Sequence, residues 1–381
     1  MIYLDNAATS VRPRAVIDKW TYMSSQCNAN IHRAVYGLAI ESTTEYESAR
    51  DAVRGFIGAG SREEIIFTSG TTESINLLAF SFGEAYVREG DEIVVTEAEH
   101  HSNIVPWQMM CARKGASIKV LGVDERGRLR LPELESLLTP RTRLVCVAQI
   151  SNVLGIKNPL KEIVNICHSK GCPVFVDGAQ GIVHERVNVT ESDCDFYAFS
   201  GHKMYAAPGT GVLYGKKRFL EEMPPYMGGG EMIESVSFSG TSYAPLPMKF
   251  EAGTRNFAGV PSFKPAIEWM SDKYDSDREI VTYMTEALKS DGRITLYGDP
   301  EDLADKAPLF SFTVKGAHHE DLALILDKMG IAVRSGQMCA EPLMDRYGVS
   351  GMVRASFGPE NTPEEAAEFM KCLDRAIKML V

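Results

Sequence analysis

The chain has 381 residues, 44% of them hydrophobic, and a formal net charge of −11. This length and hydrophobic fraction predict a compact globular protein with more than one folding unit. Acidic and basic residues are interspersed along the chain, so the sequence offers no basic stripe for a phosphate backbone. We therefore expect no nucleic-acid partner.

The N-terminal segment MIYLDNAATS has neither the basic start nor the apolar stretch of a secretion signal. No window reaches the roughly 18 uninterrupted apolar residues that a membrane-spanning helix needs. Eight cysteines without a CxxC pair, several of them in apolar runs such as RLVCVAQI, do not match a disulfide framework. We expect a cytoplasmic protein that makes no membrane contact and buries most of its thiols. Cys339 stands apart, because its surroundings are polar and contain a glycine.

Short apolar runs alternate with segments of helical periodicity through the first two thirds of the chain. In chain order the apolar runs are EEIIFTS, DEIVVTE, ASIKVLGV, TRLVCVAQIS, CPVFVDGA, DFYAFS and GVLYG. The helical segments between them are TESINLLAFSFGEAYVREG, LPELESLLTP and PLKEIVNICHSKG, with Gly90 and Gly171 as predicted C-terminal caps. This alternation predicts an α/β domain over residues 21–260, with a mostly parallel sheet covered by helices.

The pattern changes after Pro261. A helical stretch, SFKPAIEWMSDKYDSDREIVTYMTEALKS, precedes strand-like pieces ITLYG, APLFSFTV and IAVRSG and a closing helix, TPEEAAEFMKCLDRAIKML. We predict a smaller α+β domain over residues 261–381, against which residues 1–20 would pack as an N-terminal arm. The segment from Pro224 to Phe257 is rich in Gly, Pro and Ser and has little periodicity, which predicts an ordered functional loop.

The stretch FSGHKMYAAPGTGVLYG places Lys203 between an apolar run and a glycine-rich turn. For an arbitrary lysine, a solvated surface charge is the usual interpretation. Here Ser200 and His202 lie beside Lys203 and could bind an anion. A lysine with its ordinary pKa of about 10.4 is a poor nucleophile unless it is desolvated or bonded as an imine. The neighbours of Lys203 favour such a special environment.

Two further segments suit an anionic aromatic ligand. Asp177 ends the run CPVFVDGAQ, at the strand end where α/β proteins bind ligands. It could cap a helix, or it could keep the pyridinium nitrogen of pyridoxal phosphate (PLP) protonated. In FTSGTTESINLLAF, the hydroxyls of Thr71 and Thr72 would meet backbone N–H groups at a helix N-terminus, which suits a phosphate. Taken alone, this turn is also a common capping pattern.

Histidines, arginines and a cysteine complete the set of candidate residues. His100 and His101 follow a predicted strand, where adjacent side chains point in opposite directions, which argues against a joint metal site. One of them could instead lie on an aromatic cofactor and move protons. Arg334 and Arg354 flank Cys339 in the sequence and could bind a substrate carboxylate or form ordinary ion pairs. Cys339 could react as a thiolate, although a buried inert thiol is the commoner state of cysteine.

Together these features describe PLP chemistry on an amino acid. The sequence resembles the SufS-type (group II) cysteine desulfurases of the class V aminotransferase superfamily, which are PLP-dependent enzymes of fold type I. The resemblance covers nearly the whole chain and rests on YLDNAAT, FTSGTTESINL, EHHSNIVPWQ, SNVLGIKNPL, VFVDGAQ, SGHKMYAAPGTGVLYG, PPYMGGGEMI, FEAGTRN and VRSGQMCAEPLM, in that order. It implies a large PLP-binding domain and a small C-terminal domain that carries the catalytic cysteine loop.

Carried over by position, the resemblance implies roles for single residues. Lys203 would be the Schiff-base lysine, Asp177 the pyridinium partner and Cys339 the residue that forms a persulfide. His100 would stack on the cofactor ring and act in catalysis. The other implied cofactor ligands are Thr71, Thr72, Gln180 at the phenolic oxygen, Ser200, His202, and Thr254 reaching across from a second subunit. The implied substrate-binding residues are Asn152, Arg354, Arg334 and His32.

The resemblance also implies a reaction and partners. L-cysteine would become L-alanine in a homodimer, and the sulfur would pass to an acceptor protein of SufE or SufU type for iron-sulfur cluster or other sulfur-containing cofactor synthesis. Two alternatives stay open: a lyase for L-selenocysteine or another class V PLP lyase, and a non-catalytic scaffold, against which Lys203, Asp177 and Cys339 together argue. The chain departs from the family pattern at Met338, where a histidine is common, and over Trp269–Arg278, which looks shortened.

Overall fold

The computed structural model describes residues 1–274, 278–299 and 302–381. Its α-helices are α1 (Arg14–Ser25), α2 (Gly37–Phe56), α3 (Thr71–Tyr86), α4 (Val105–Lys114), α5 (Leu131–Leu137), α6 (Leu160–Ser169), α7 (Gly181–His184), α8 (Val189–Ser192), α9 (Lys217–Glu222), α10 (Phe263–Met270), α11 (Arg278–Ser290), α12 (His319–Lys328), α13 (Glu341–Tyr347) and α14 (Pro363–Leu380). Its strands are β1 (Ile2–Tyr3), β2 (Ile65–Thr68), β3 (Glu92–Thr96), β4 (Ser117–Leu121), β5 (Thr142–Ala148), β6 (Val174–Asp177), β7 (Phe196–Ser200), β8 (Gly211–Gly215), β9 (Ile233–Ser237), β10 (Gly240–Tyr243), β11 (Ile294–Tyr297), β12 (Leu309–Val314), β13 (Ile331–Ala332), β14 (Arg334–Gly336) and β15 (Met352–Ser356). Short 3-10 turns lie at Arg62–Glu64, His101–Asn103, Met248–Phe250, Val260–Ser262 and Leu303–Asp305.

The seven apolar runs of the first part of the sequence form one sheet, in the order β2-β8-β7-β6-β5-β3-β4. Neighbouring strands from β7 to β4 are parallel, and β8 runs antiparallel to both β7 and β2. The prediction of a mostly parallel α/β sheet is therefore confirmed.

The strands of this sheet are buried on both faces except at the edge strand β4, most of whose residues are exposed. This burial explains why the other strands read as continuous apolar runs. Along β5, Val145 and Val147 belong to one core cluster, whereas Leu144 and Cys146 belong to a second cluster. This alternation follows the two-residue repeat of a β-strand. Helices therefore pack on each side of the sheet, and its carboxyl edge stays open between them.

The second half of the chain contributes a four-stranded antiparallel sheet in the order β11-β12-β15-β14. Its own core lies under α11, α12 and α14. Residue Ile2 pairs in parallel with Ile331 of β13, and the Ser356 backbone N–H donates a 2.8 Å hydrogen bond to the Leu4 carbonyl. The chain start thus lies along this second sheet. The predicted boundaries near residues 20 and 260 stay predictions.

Two stretches differ from their predicted form. The predicted helical stretch after Pro261 consists of α10 and α11 in the described residues, and α10 ends at Met270. Residues 275–277, inside the stretch noted as shortened, lie outside the described residues. The predicted loop at 224–257 contains an antiparallel hairpin of β9 and β10. Its strands are mostly exposed polar residues, so they lack the apolar alternation by which a strand is recognised.

No helix within the described ranges is long and apolar enough to cross a bilayer.

A buried ion pair ties the end of the 224–257 segment to the large sheet. Arg50 and Glu251 are each 1% exposed, and Arg50 donates from Nη1 to Glu251 Oε1 at 2.7 Å and from Nη2 to Oε2 at 3.1 Å. Glu251 Oε1 also accepts the backbone N–H of Phe67 in β2, at 2.8 Å. Arg50 also pairs with Glu47, at 3.0 Å. Because Glu251 is buried, loss of Arg50 leaves its carboxylate without the guanidinium that pairs with it.

We therefore predict that Arg50→Leu lowers the free energy of unfolding by about 3 kcal/mol or more. Urea denaturation followed by circular dichroism measures this loss. Arg14→Leu is the control, because Arg14 pairs with Asp18 on the surface and its side chain is 86% exposed. A result in which both variants unfold at the wild-type urea concentration would contradict a stabilising role for the buried pair.

Candidate active site

A cavity of about 230 Å³ lies at the carboxyl edge of the large sheet, where the second sheet meets it. Ala148, Asp177 and Ser200 are the last residues of β5, β6 and β7, so three adjacent parallel strands end at its wall. All predicted site residues except His32 and Thr254 line this cavity. They are Thr71, Thr72, His100, Asn152, Asp177, Gln180, Ser200, His202, Lys203, Arg334, Cys339 and Arg354.

Asp177 is held at the cavity wall by its local sequence. Its side chain is 5% exposed, and Oδ1 accepts the Ala179 N–H at 2.9 Å. The following residue must be glycine, because a Cβ on Gly178 would lie 2.0 Å from Cζ of Tyr197. Burial raises the pKa of Asp177. The hydrogen bond from Ala179 and the positive charge of Lys203 oppose that rise. A buried carboxylate of this kind can pair with a cationic ring nitrogen.

Lys203 lies in the turn that follows β7. Burial lowers its pKa to about 8; the Asp177 carboxylate opposes this shift, and Arg354 and Arg334 add to it. In the part of the chain that the structure describes, no hydrogen bond to another residue holds Nζ. Near neutral pH a useful fraction of this amine is therefore unprotonated and available as a nucleophile or base.

The N-terminus of α3 opens into the same cavity. Gly70 precedes the helix and offers no side-chain cap, while Thr71 and Thr72 line the cavity. Ser200 Oγ accepts the Thr71 N–H at 2.8 Å and lies 2.7 Å from Thr71 Oγ1. Ser102, which sequence reasoning missed, lies 2.8 Å from Thr72 Oγ1 through its own hydroxyl. Hydroxyls gathered at a helix N-terminus fit the phosphate of PLP.

Two histidines beside this end of the cavity are neutral at physiological pH. Burial, followed by the charge of Lys203, lowers the pKa of His100 to about 4 and that of His202 to about 4. His100 Nδ1 accepts the Ser102 N–H at 3.0 Å, which leaves the ring proton on Nε2. A neutral imidazole can lie against a cofactor ring without adding charge to it.

Arg354 has an unused donor. Its side chain is 2% exposed, Nη1 donates to the Asn152 carbonyl at 2.8 Å and Nη2 donates to Asp5 Oδ1 at 3.0 Å. Nε is buried and has no partner among the described residues. Nη1 and Nη2 each carry a second N–H, and Arg354 lines the cavity, so the guanidinium could bind an incoming carboxylate. Asp5 was not among the predicted residues, although it lies inside the YLDNAAT motif.

The side chain of Gln180 forms a hydrogen bond within the protein. It is 3% exposed, and its Nε2 donates to the Ala7 carbonyl at 2.8 Å. This bond brings the start of the chain to the cavity, where Ala7 and Ala8 form part of the wall.

Cys339 is exposed, whereas the other seven cysteines of the chain are buried. Burial raises the pKa of Cys111 to about 11 and also raises the pKa of Cys372, which makes both poor nucleophiles at neutral pH. Cys339 is therefore the thiol that a ligand in the cavity and a solvent-borne partner can both reach.

His32 and Thr254 lie outside the cavity lining of this chain. His32 Nε2 lies 3.2 Å from Glu47 Oε1, and its ring packs edge-on against Tyr46 at 5.8 Å. Thr254 is exposed on the 224–257 segment. Their proposed roles in the site stay predictions, and that of Thr254 concerns a second subunit.

Comparison with known proteins identifies the family of the chain. Residues 2–369 match the aminotransferase class-V family. The chain belongs to that family. A probable cysteine desulfurase of Vibrio cholerae serotype O1 is 45% identical over 385 residues, which span 100% of this chain and 94% of the relative. A cysteine desulfurase of Serratia proteamaculans is 42% identical over 386 residues, with 100% and 94% covered.

Solved structures of class V relatives have the same fold. The cysteine desulfurase CsdA of Escherichia coli, in its S-sulfonic acid form, has a TM-score of 0.92 and 40% identity, covering 100% of this chain and 95% of that one. The apo cysteine desulfurase of Thermococcus onnurineus NA1 has a TM-score of 0.95 and 37% identity, again with 100% and 95% covered. The predicted PLP-dependent fold type I is confirmed. The prediction of an enzyme of the cysteine desulfurase kind agrees with the names of these full-length relatives.

The lowered pKa of Lys203 leads to a prediction about its reactivity. Because only a neutral amine attacks an aldehyde, Lys203 of the ligand-free protein should undergo reductive methylation by limiting formaldehyde ahead of surface lysines. Its rate should rise with pH, with a midpoint near 8. Peptide mass spectrometry measures the label, with Lys328, whose side chain is 83% exposed, as the reference. Equal labelling of both lysines at pH 8 would contradict the assignment.

Proposed function

We propose that this protein is a PLP-dependent cysteine desulfurase of the SufS type (group II), which converts L-cysteine to L-alanine and collects the sulfur on Cys339. The main support is one observation: four groups line a single cavity. They are the amine of Lys203, whose pKa is lowered to about 8, the buried carboxyl group of Asp177, the guanidinium of Arg354, whose Nε has no hydrogen-bond partner among the described residues, and the exposed thiol of Cys339. A scaffold protein would have no use for this combination.

The residues around the cavity fit PLP group by group. Asp177 would bind the ring nitrogen, Gln180 the phenolic oxygen, and His100 the ring face. The phosphate would lie at the α3 N-terminus, bound by Thr71, Thr72, Ser200 and His202, and Lys203 would hold the aldehyde carbon. When bound, PLP supplies an electron sink for the bonds around Cα of an amino acid.

The other end of the cavity suits the substrate carboxylate. The guanidinium of Arg354 keeps N–H groups without a partner among the described residues, and Asn152 and Arg334 line the same cavity. Because Lys203 lines the same cavity, a substrate held there by its carboxylate could bring its Cα to the amine. The amine of Lys203, with its lowered pKa, would then take the Cα proton and later return one.

Sulfur transfer requires a nucleophile at the substrate sulfur. The Cys339 thiolate attacks that sulfur, and the substrate Cβ–S bond breaks with its electron pair left on carbon. Protonation of that carbon gives alanine, and Cys339 keeps the sulfur as a persulfide. The atoms and electrons balance without an outside oxidant or reductant.

The exposure of Cys339 supports delivery of this sulfur to another protein. A thiol of an acceptor of SufE or SufU type could reach it, for iron-sulfur cluster or other sulfur-containing cofactor synthesis in the cytoplasm. Thr254 is exposed and faces no part of its own cavity, which supports a homodimer in which it completes the partner's phosphate site.

The first prediction from this proposal concerns Cys339. Cys339→Ser should retain the absorbance of bound PLP, yet alanine formation from L-cysteine should fall at least about 100-fold, because no thiolate attacks the sulfur. Amino-acid analysis measures alanine, and mass spectrometry of wild-type peptides should find the added sulfur on Cys339. Cys372→Ser is the matched control and should stay active.

Full activity of Cys339→Ser on L-cysteine would reject this role. Activity of that variant on L-selenocysteine alone would instead favour the selenocysteine lyase alternative, since selenium leaves carbon more readily and depends less on the thiolate.

The second prediction concerns the dimer. Lys203→Ala and Thr254→Glu should each be nearly inactive alone, because one loses the reactive amine and the other places a carboxylate beside the phosphate. If Thr254 acts across the interface, mixed dimers contain one intact site, so coexpression should restore up to about half of the wild-type activity per dimer. Differently tagged subunits allow the mixed dimer to be purified and assayed. Mixed dimers as inactive as both parents would exclude a role for Thr254 in trans.

A further inference from the structure

The backbone that carries Cys339 is unusual. Met338 and Cys339 have φ angles of 54° and 56°, two successive non-glycine residues in the left-handed region. Such residues persist there only where their surroundings hold them, and they cluster at functional sites. The neighbouring contacts must therefore supply the restraint.

Three hydrogen bonds from the large-sheet side hold this backbone. Asn152 Nδ2 donates to the Met338 carbonyl at 2.8 Å, and the His101 N–H donates to the Cys339 carbonyl at 2.7 Å. The third bond runs the other way, because the Glu341 N–H donates to His101 Nε2 at 3.0 Å. His101 thus contacts the cysteine segment on both sides of the thiol, once with its backbone and once with its ring.

The ring contact meets a need of α13. This helix begins at Glu341, and Ala340 before it has no side chain that could accept an N–H. His101 supplies the acceptor from a distant part of the chain. Its neighbour His100 lines the cavity, so one short turn reaches both the cavity wall and the loop that carries the thiol.

The side chain of Met338 is buried directly beside Cys339. Met338 is 4% exposed and belongs to the main hydrophobic core, together with Leu343 and Met344 of α13. It anchors one side of Cys339 by packing. On the other side, Ala340 is fully buried in the same core. Glu341 is exposed, and its N–H, the first of the helix, is bound by His101.

We infer that His101 is a positioning residue for Cys339: its Nε2 caps α13 and keeps the thiol over the cavity for sulfur transfer. This inference rests on the proposed function. A misplacement of a nucleophile by about 1 Å can cost on the order of 100-fold in rate, so even a small shift of this loop would be measurable.

The test compares holoenzyme variants in steady-state alanine formation from L-cysteine. His101→Leu removes the acceptor and should lower kcat about 10-fold or more, with KM within about 2-fold, because Arg354 and the rest of the carboxylate site are unchanged. His101→Gln places a side-chain oxygen at similar reach and should recover most of kcat. His318→Leu is the matched control, because His318 Nδ1 caps α12 by accepting the Glu320 N–H at 3.4 Å, away from Cys339.

Hydrogen exchange measured by mass spectrometry supplies a readout that does not depend on turnover. The amide of Glu341 should exchange about 10-fold faster in His101→Leu than in wild type and near the wild-type rate in His101→Gln. His101→Phe, which keeps a ring of similar shape without an acceptor, replaces the leucine variant if the latter does not fold, with the same expected results.

Several results would overturn the inference: wild-type kcat in a folded His101→Leu or His101→Phe, no recovery in His101→Gln, or an equal loss of kcat in His318→Leu. Failure of the proposed function would look different. Wild-type protein would then form no alanine from L-cysteine, while the exchange rate of the Glu341 amide would still report whether His101 caps the helix.

Discussion

The burial of Asp177 next to Lys203 is the interaction on which the site depends. Asp177 is the last residue of β6, and Lys203 lies in the turn after the adjacent parallel strand β7. The register that pairs Asp177 with Ala198 brings this turn beside the end of β6. Burial destabilises each charge, whereas each charge stabilises the other. The balance leaves Lys203 as an amine that loses its proton near pH 8. In the proposed function, the carboxyl group of Asp177 would pair with a cationic ring nitrogen.

The second sheet makes this pair useful for chemistry on an amino acid. It brings Arg354 against the Asn152 segment through the 2.8 Å bond to the Asn152 carbonyl, and Asp5 of the chain start partly neutralises the guanidinium. Arg354 Nε is buried and has no hydrogen-bond partner among the described residues. The same cavity is thus lined by Arg354, which could bind a carboxylate, by the N-terminus of α3, which could bind a phosphate, and by Lys203.

The backbone at Cys339 is held in place although its thiol is exposed. An exposed thiol on a flexible loop would spend much of its time away from the cavity. Here Met338 is buried in the core, and hydrogen bonds from Asn152 and His101 hold the carbonyls on each side. In the sequence, Met338 is a departure from the family pattern, at a position where a histidine is common. In the fold its side chain acts as an apolar anchor.

The sequence by itself determined the large sheet and most of the cavity wall. Strands buried on both faces are continuous apolar runs, and residues such as Asp177 and Lys203 lie at fixed distances from those runs, so their placement follows from local order. The sequence did not predict the contacts between residues that are far apart in the chain. Asp5 meets Arg354 across 349 residues, His101 caps a helix 240 residues away, and the polar hairpin of β9 and β10 carries no apolar repeat. These features depend on which surfaces come into contact when the two sheets pack together. No local pattern of residue types specifies those contacts, so only the tertiary structure decided them.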